Sequence, residues 1–172
     1  IKGKNATDMA LIIDAMDLLY EGTADIFCIV SSDSDFTRLA VRLREAGKYV
    51  IGIGERKTPN PFIASCDKFI YLDIIEPLDS GVKPAKVRVS NESKDILIQL
   101  LKTSVLDLAD DNGYVFMGDL GNLIMKKQPD FDPRNYGFFQ LTPLIKSLDL
   151  FEIEERRIPN SNVKHVYVRN RQ

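Results

Sequence analysis

The chain predicts an α/β fold with a Rossmann-like parallel sheet, followed by a small α+β unit with the layout of a winged helix. Three observations carry this reading. Short apolar runs alternate with helical patterns through the first half. A stretch of turn formers without periodicity then divides the chain. Three helical patterns and two extended runs complete the second half.

In order, Asn5 can cap a helix whose apolar positions Met9, Ile12, Ile13, Met16 and Leu19 recur at helical spacing, and Gly22 stops it. Ile26–Val30 reads as a strand buried on both faces, because a covered parallel strand loses its in/out alternation. The next helix carries Phe36, Leu39, Ala40 and Leu43 on one face, with Gly47 where a left-handed cap belongs. Tyr49–Ile53 is a second buried strand. Asn60 and Pro61 open a short helix as cap and first-turn proline, and Lys68–Leu72 is a third strand. Strands alternating with helices imply right-handed crossovers and a parallel sheet.

Residues 77–90 read as a linker, between a first domain at 1–76 and a second at 91–172. The second opens with the stripe Leu97, Leu101, Val105 and Leu108, closed by Asp111-Asn112-Gly113. Leu120, Leu123 and Ile124 mark another helix, broken at Pro129–Pro133. A third helix starts at Thr142-Pro143 and carries Leu144, Ile145 and Leu148. Phe151–Arg157 and Val163–Arg169 are extended runs joined by a turn-rich segment, a hairpin signal.

A hydrophobic content of 44% without a long apolar run argues for a globular chain with no membrane span. The net charge of −2 gives no global attraction for nucleic acid, so such a partner must be met by local patches. Cys28 and Cys66 lack metal-ligand spacing and read as buried free thiols in a reducing, cytoplasmic setting. Ile1 is not an initiator methionine and IKGKN is not a targeting segment, so further sequence upstream is expected.

The chemistry concentrates at Asp33-Ser34-Asp35, where the first strand turns into a helix. Ligands of open α/β sheets bind at that carboxyl edge. Asp is a preferred helix cap, but capping needs one acid, and Ser32 or Ser34 could supply it. Two acids at i and i+2 can converge on a hard cation such as Mg²⁺, which takes carboxylate, water and phosphate oxygens. Asp8 taken alone reads as an acid complementing a helix N-terminus. Asp14 and Asp17 stay open between a solvated face and support of the acids.

Among basic residues, Lys2 and Lys4 precede the first helix and could meet a phosphate there. Arg38, Arg42 and Arg44 read as the wet face of their helix. Lys126, Lys127, Arg156, Arg157, Lys164, Arg169 and Arg171 form a candidate nucleic-acid surface, diluted by Glu152, Glu154 and Glu155. His165, the single histidine, reads as a surface residue of the hairpin.

KGKNATDMALIIDAMDLLY followed by IVSSDSDFTRLAVRLREAGKYVIGIG resembles NYN domains of the PIN-like nuclease superfamily, over about residues 2–76. NGYVFMGDLGNLIMKKQPDFDPRNYGFFQLTPLIKSLDLFEIEE resembles the OST-HTH or LOTUS domain, a winged-helix module of RNA regulation, from about Asn91 to Arg169. The first resemblance implies a metal-dependent ribonuclease. By matching position, Asp8, Asp33 and Asp35 would be catalytic and would bind Mg²⁺ or Mn²⁺. NYN domains begin with a strand ending in a further catalytic Asp followed by an Asn. This sequence shows no such strand, so the domain reads as N-terminally incomplete.

The leading expectation is a Mg²⁺- or Mn²⁺-dependent endoribonuclease acting on single-stranded RNA. RNA contacts are expected from Lys2, Lys4, Asn5, Lys126, Lys127, Arg156, Arg157, Lys164 and Arg169. A protein partner through the LOTUS segment and self-association remain open. The alternative is a catalytically silent RNA-binding adaptor. A third reading is a phosphatase, because Asp33-x-Asp35-x-Thr37 after a strand matches the DxDxT pattern of haloacid-dehalogenase-like enzymes, with Lys48 or Lys68 as the later lysine.

Overall fold

Left-handed glycines close the first two helices and set the rhythm of the first unit. In the computed structural model α1 spans Lys4–Glu21 and ends at Gly22 (φ 69°), and α2 spans Thr37–Glu45 and ends at Gly47 (φ 77°). A side chain at either position would be strained in that conformation, so glycine fixes both helix ends. The structure describes residues 4–75, 91–157 and 164–171, with side chains from Ala6 onward in the first stretch and from Ser93 in the second. The linker at 77–90, the hairpin turn and Lys2 lie outside the described residues. The chain divides into two compact units, 1–75 and 76–172.

In the first unit, β1 (Ile26–Val30), β2 (Tyr49–Gly54) and β3 (Lys68–Tyr71) form a parallel sheet in the order β1-β2-β3. The register pairs Cys28 with Ile51 and Ile51 with Lys68. α3 (Asn60–Ser65) is the second crossover. Its cap position is Pro59 rather than Asn60, and Asn60 and Pro61 are its first helical residues. Asn5 likewise lies inside α1, not before it.

The core gathers Phe27, Ile29, Leu39, Leu43, Val50, Phe62 and Phe69, with Ile12, Met16 and Leu19 of α1 packed against it. Gly52 makes room for two of its neighbours. A Cβ there would meet the Phe69 ring at 2.6 Å and Cys66 Sγ at 2.8 Å. Burial pushes the Cys66 thiol up to about 11.

The first strand corrects its sequence reading. Phe27 and Ile29 are buried, whereas Ile26 and Val30 stay 61% and 64% exposed and Cys28 is exposed as well. Alternate residues of a strand face opposite ways, and the described helices cover only the Phe27–Ile29 side. Cys28 is therefore not a buried thiol; Cys66 is.

The second unit contains α4 (Asn91–Leu108), β4 (Val115–Phe116), α5 (Met117–Lys127), α6 (Leu141–Leu148), β5 (Phe151–Arg157) and β6 (Lys164–Asn170). The three strands form an antiparallel sheet in the order β4-β6-β5. Strand β4 was not foreseen, because two residues carry no readable period. Leu97, Leu101, Val105, Leu120, Ile124, Leu144, Ile145, Phe151 and Val168 make the core. Leu108, expected in the stripe of α4, is exposed at the helix end.

Asp110 shapes the turn after α4, its Oδ1 accepting from the Asn112 and Tyr114 amides at 2.9 and 2.8 Å. Asp132 caps the 3₁₀ turn Pro133–Tyr136 through the Arg134 amide at 2.9 Å and binds the Arg134 guanidinium at 2.7 Å. Among the described residues, no helix is long and apolar enough to cross a membrane.

Candidate functional site

The carboxyl edge of the parallel sheet is built by short polar bonds between the ends of β1 and β2. The Ser31 amide donates to the Ile53 carbonyl at 2.9 Å, extending the β1–β2 ladder by one residue. Ser31 Oγ accepts from the Asp33 amide at 3.1 Å, and Ser32 Oγ accepts from the Glu55 amide at 2.8 Å. The two serines hold the chain between strand and helix. Gly54 lets that approach happen, because a Cβ there would lie 2.6 Å from the Ser31 carbonyl oxygen and 2.7 Å from Thr58 Oγ1.

Asp33 then takes extended backbone angles, and its Oδ1 accepts from the Asp35 amide at 3.0 Å. It caps a 3₁₀ turn, Ser34–Phe36, whose buried Phe36 anchors the turn to the core. Capping is thus real, and it uses one oxygen of one acid. Oδ2 of Asp33 and the whole carboxylate of Asp35 remain outside that bond, and both residues are exposed.

Asp8 belongs to the same end of the unit. A helix that leads into a parallel strand runs back along the sheet, so the first turns of α1 lie toward the carboxyl edge. Thr7 and Val30, the last residue of β1, line one groove. Asp8 is half-buried, Asp14 lines the groove, and Asp17 is exposed. Lys4 and Asn5 sit in the first turn of α1, and their side chains lie outside the described residues.

The acids Asp33 and Asp35 fit a hard divalent cation by donor chemistry, since Mg²⁺ commonly binds through one or two carboxylates completed by water and phosphate. Among the described residues, no three His, Cys, Asp or Glu side chains gather into a group that could hold a metal ion. Asp8 is therefore not assembled with the pair into one cluster.

The phosphatase reading fails on topology. Lys48 directly precedes β2 and Lys68 is the first residue of β3, so both lie at the amino edge of a parallel sheet, opposite Asp33. Lys48 is also bound to Asp25 at 2.9 Å. Arg44, read as wet-face, instead bridges Asp67 at 3.0 Å, while Asp67 accepts from the Val50 amide. Arg56 beside the carboxyl edge binds Asp73 at 2.7 Å and lies over the Tyr71 ring at 4.9 Å.

In the second unit the basic residues are largely neutralised by neighbours. Lys127 binds Asp107 at 2.6 Å and Ser104 Oγ at 3.1 Å. Arg156 pairs with Glu154 at 3.1 Å, Lys164 with Glu155 at 2.8 Å, Arg169 with Glu152 at 2.6 Å and Arg171 with Asp149 at 2.9 Å. Hydrogen bonds from Arg156 and Lys164 lower the carboxyl pKa values of Glu154 and Glu155. Lys126 and Arg157 are exposed with no ion-pair partner among the described residues.

The hairpin register also separates the basic set. Arg156 and Arg169 share one face of the sheet with His165 and Tyr167, whereas Arg157 opposite Lys164 lies on the other. His165 is half-buried, its ring 4.7 Å from that of Phe116, rather than a free surface residue. The aromatic company of these arginines, Tyr114, Phe116 and Tyr167, was missed in the sequence. The signal was there as the period-2 series His165-x-Tyr167-x-Arg169 opposite Glu152-x-Glu154-x-Arg156.

Fold and site together define a two-part chain: a parallel-sheet α/β unit with acids at its carboxyl edge, and a small unit of helices on an antiparallel sheet. Residues 1–73 match the NYN domain and residues 88–163 match the OST-HTH/LOTUS domain. The chain carries an NYN domain followed by an OST-HTH/LOTUS domain, a nuclease-like module joined to an RNA-binding one. A solution NMR structure of an uncharacterised protein from Nitrosomonas europaea is similar, with 32% identity over 56% of this chain and 88% of that chain, and a TM-score of 0.42. The comparison with curated proteins returned no match.

Proposed function

We propose that the chain is a divalent-metal-dependent endoribonuclease that cuts single-stranded RNA and holds it with a winged-helix module. The observation that carries this reading is the Asp33–Asp35 turn at the carboxyl edge of an NYN sheet, where capping uses a single carboxylate oxygen. Asp33 and Asp35 would hold Mg²⁺ or Mn²⁺ and Asp8 would act from α1 as a third acid. A bound ion would supply Lewis acidity to the phosphodiester and a more acidic water.

The chain's own residues do the positioning. The bonds of Ser31 and Ser32 to Asp33 and Glu55 fix where the two acids stand. Lys4 and Asn5 in the first turn of α1, with Lys2 before them in the sequence, would meet the RNA backbone. In the second module, Lys126 at the end of α5 and Arg157 offer charge that no glutamate among the described residues takes up, with Lys127, Arg156, Lys164 and Arg169 as paired contributors. A protein partner of that module or a second copy of the chain belongs to the same reading.

The test is cleavage of a labelled single-stranded RNA with Mg²⁺ or Mn²⁺. EDTA-sensitive cutting that disappears in Asp35→Asn is expected. A silent adaptor is the second reading, favoured by the absence of a three-acid cluster among the described residues. RNA binding without cutting under any metal condition would select it.

A further inference from the structure

The outward face of the β4-β6-β5 sheet carries a continuous run of rings and guanidinium groups, the rings tilted against one another by 34° and 53°. The guanidinium of Arg156 lies 4.2 Å from the centre of the Tyr167 ring and 4.8 Å from that of Tyr114. Arg169 lies 4.8 Å from Tyr114 on the same face. Beyond Tyr167 the series continues to Phe116, at 5.8 Å between ring centres, and then to His165. Aromatic side chains belong on the covered face of a sheet, and that face is already supplied by Val115, Phe151 and Val168. Each of the stacked residues is only partly covered.

Charge on this face is balanced. Arg156 and Arg169 are matched one for one by Glu154 and Glu152, which orient the guanidinium planes and cancel their attraction for phosphate. Both arginine side chains remain open, at 36% and 39% exposure. At the Arg169 end the stack runs into a pocket of about 310 Å³, walled by Val105, Gly113 and Asn170. Asn170 Oδ1 is buried with no hydrogen-bond partner among the described residues. Flat faces, balanced charge and an adjoining pocket suit an unpaired nucleobase, which stacks on aromatic rings and on arginine planes.

We infer that this sheet face is a base-stacking platform for unpaired RNA, with the pocket beside Arg169 receiving a base at its end. The inference rests on the RNA-binding reading of the second module and names how that module grips its RNA. Bases, rather than backbone charge, then provide most of the affinity at this face. Binding there should vary little with salt, because few counterions are released.

The experiment is fluorescence anisotropy on the whole chain in EDTA, which stops metal-dependent cutting. The probes are a labelled single-stranded RNA, an abasic RNA of the same length and the same sequence as a duplex. The single strand is expected to bind at least about tenfold more tightly than the abasic and duplex forms. Tyr114→Leu should erase that difference. Arg169→Lys should do the same while keeping the charge, and being a partly exposed change it guards against misfolding of the first variant.

Equal binding of normal and abasic RNA would overturn the platform. If that binding also fell in a Lys126→Gln, Lys127→Gln double variant, RNA binding by the module would stand while the stacking face did not. Absence of binding to any RNA would overturn the RNA-binding reading together with the platform, and leave the face to a protein partner.

Discussion

Asp33→Asn and Asp33→Ala remove the same charge but differ in what they leave at the head of the 3₁₀ turn. The asparagine Oδ1 can still accept from the Asp35 amide, now 3.0 Å from the aspartate oxygen, whereas alanine cannot. Asparagine caps about as well as aspartate, and loss of a cap to alanine costs about 1 kcal/mol. For a domain the size of the first unit, residues 1–75, that corresponds to a fall in Tm of roughly 4–8 °C. Asp33→Asn should therefore unfold within a degree or two of the native chain. Both variants should lose metal-dependent RNA cleavage, because each lacks the carboxylate. Calorimetry on each variant, paired with cleavage of labelled RNA, separates the effects. Undiminished cutting by Asp33→Asn would refute the metal role and leave Asp33 a cap. Equal Tm for the two variants would refute the cap.

Other consequences follow from the same packing. Gly54→Ala places a methyl group 2.6 Å from the Ser31 carbonyl oxygen, a backbone atom with little freedom to retreat. Overpacking of this kind costs about 1–3 kcal/mol, so the Tm of the first unit should drop in calorimetry. With brief iodoacetamide treatment of the native chain, mass spectrometry should find Cys28 modified and Cys66 spared, with both modified after unfolding. The Cys66 thiol, pushed up to about 11 in the fold, has an unfolded value near 8.5, so its contribution is complete below that value. Stability should then decline as pH rises from about 8.5 to 11, by about 3 kcal/mol, and Cys66→Ala should remove that decline in urea titrations.

Much of the architecture was legible because period and punctuation agreed. Gly22 and Gly47 stand where two helices end, and the apolar runs read at 26–30, 49–53 and 68–72 are, to within one residue, the three parallel strands. The exposed side of β1 was not legible, because an unbroken apolar run reads the same whether one face or two are covered. That ambiguity misplaced Cys28. Strand β4 escaped because its two residues gain their place from Tyr167 and Val168 across the sheet, a pairing no local pattern encodes.

The candidate site divides along the same line. The acids at Asp33 and Asp35 were visible from their position after a strand, while the serine bonds that hold them, and the room Gly54 provides, are tertiary facts. Basic residues were counted correctly in the sequence, but their strength was not. Glu152, Glu154 and Glu155 pair directly with Arg169, Arg156 and Lys164. A list of charges overstates what such a surface offers to phosphate, and misses the stacked rings between them.

The central claim, that the carboxyl edge of the first unit holds a divalent ion, is tested most directly by Mn²⁺ titration followed in ¹⁵N–¹H spectra of the whole chain. The account predicts selective paramagnetic broadening of amides from Ser32 to Phe36 and of the first turns of α1 around Asp8. It also predicts that Asp35→Asn abolishes this broadening. Broadening confined to other acids, such as Asp110 and Asp111, or none at all with the amides of the turn unperturbed, would contradict it.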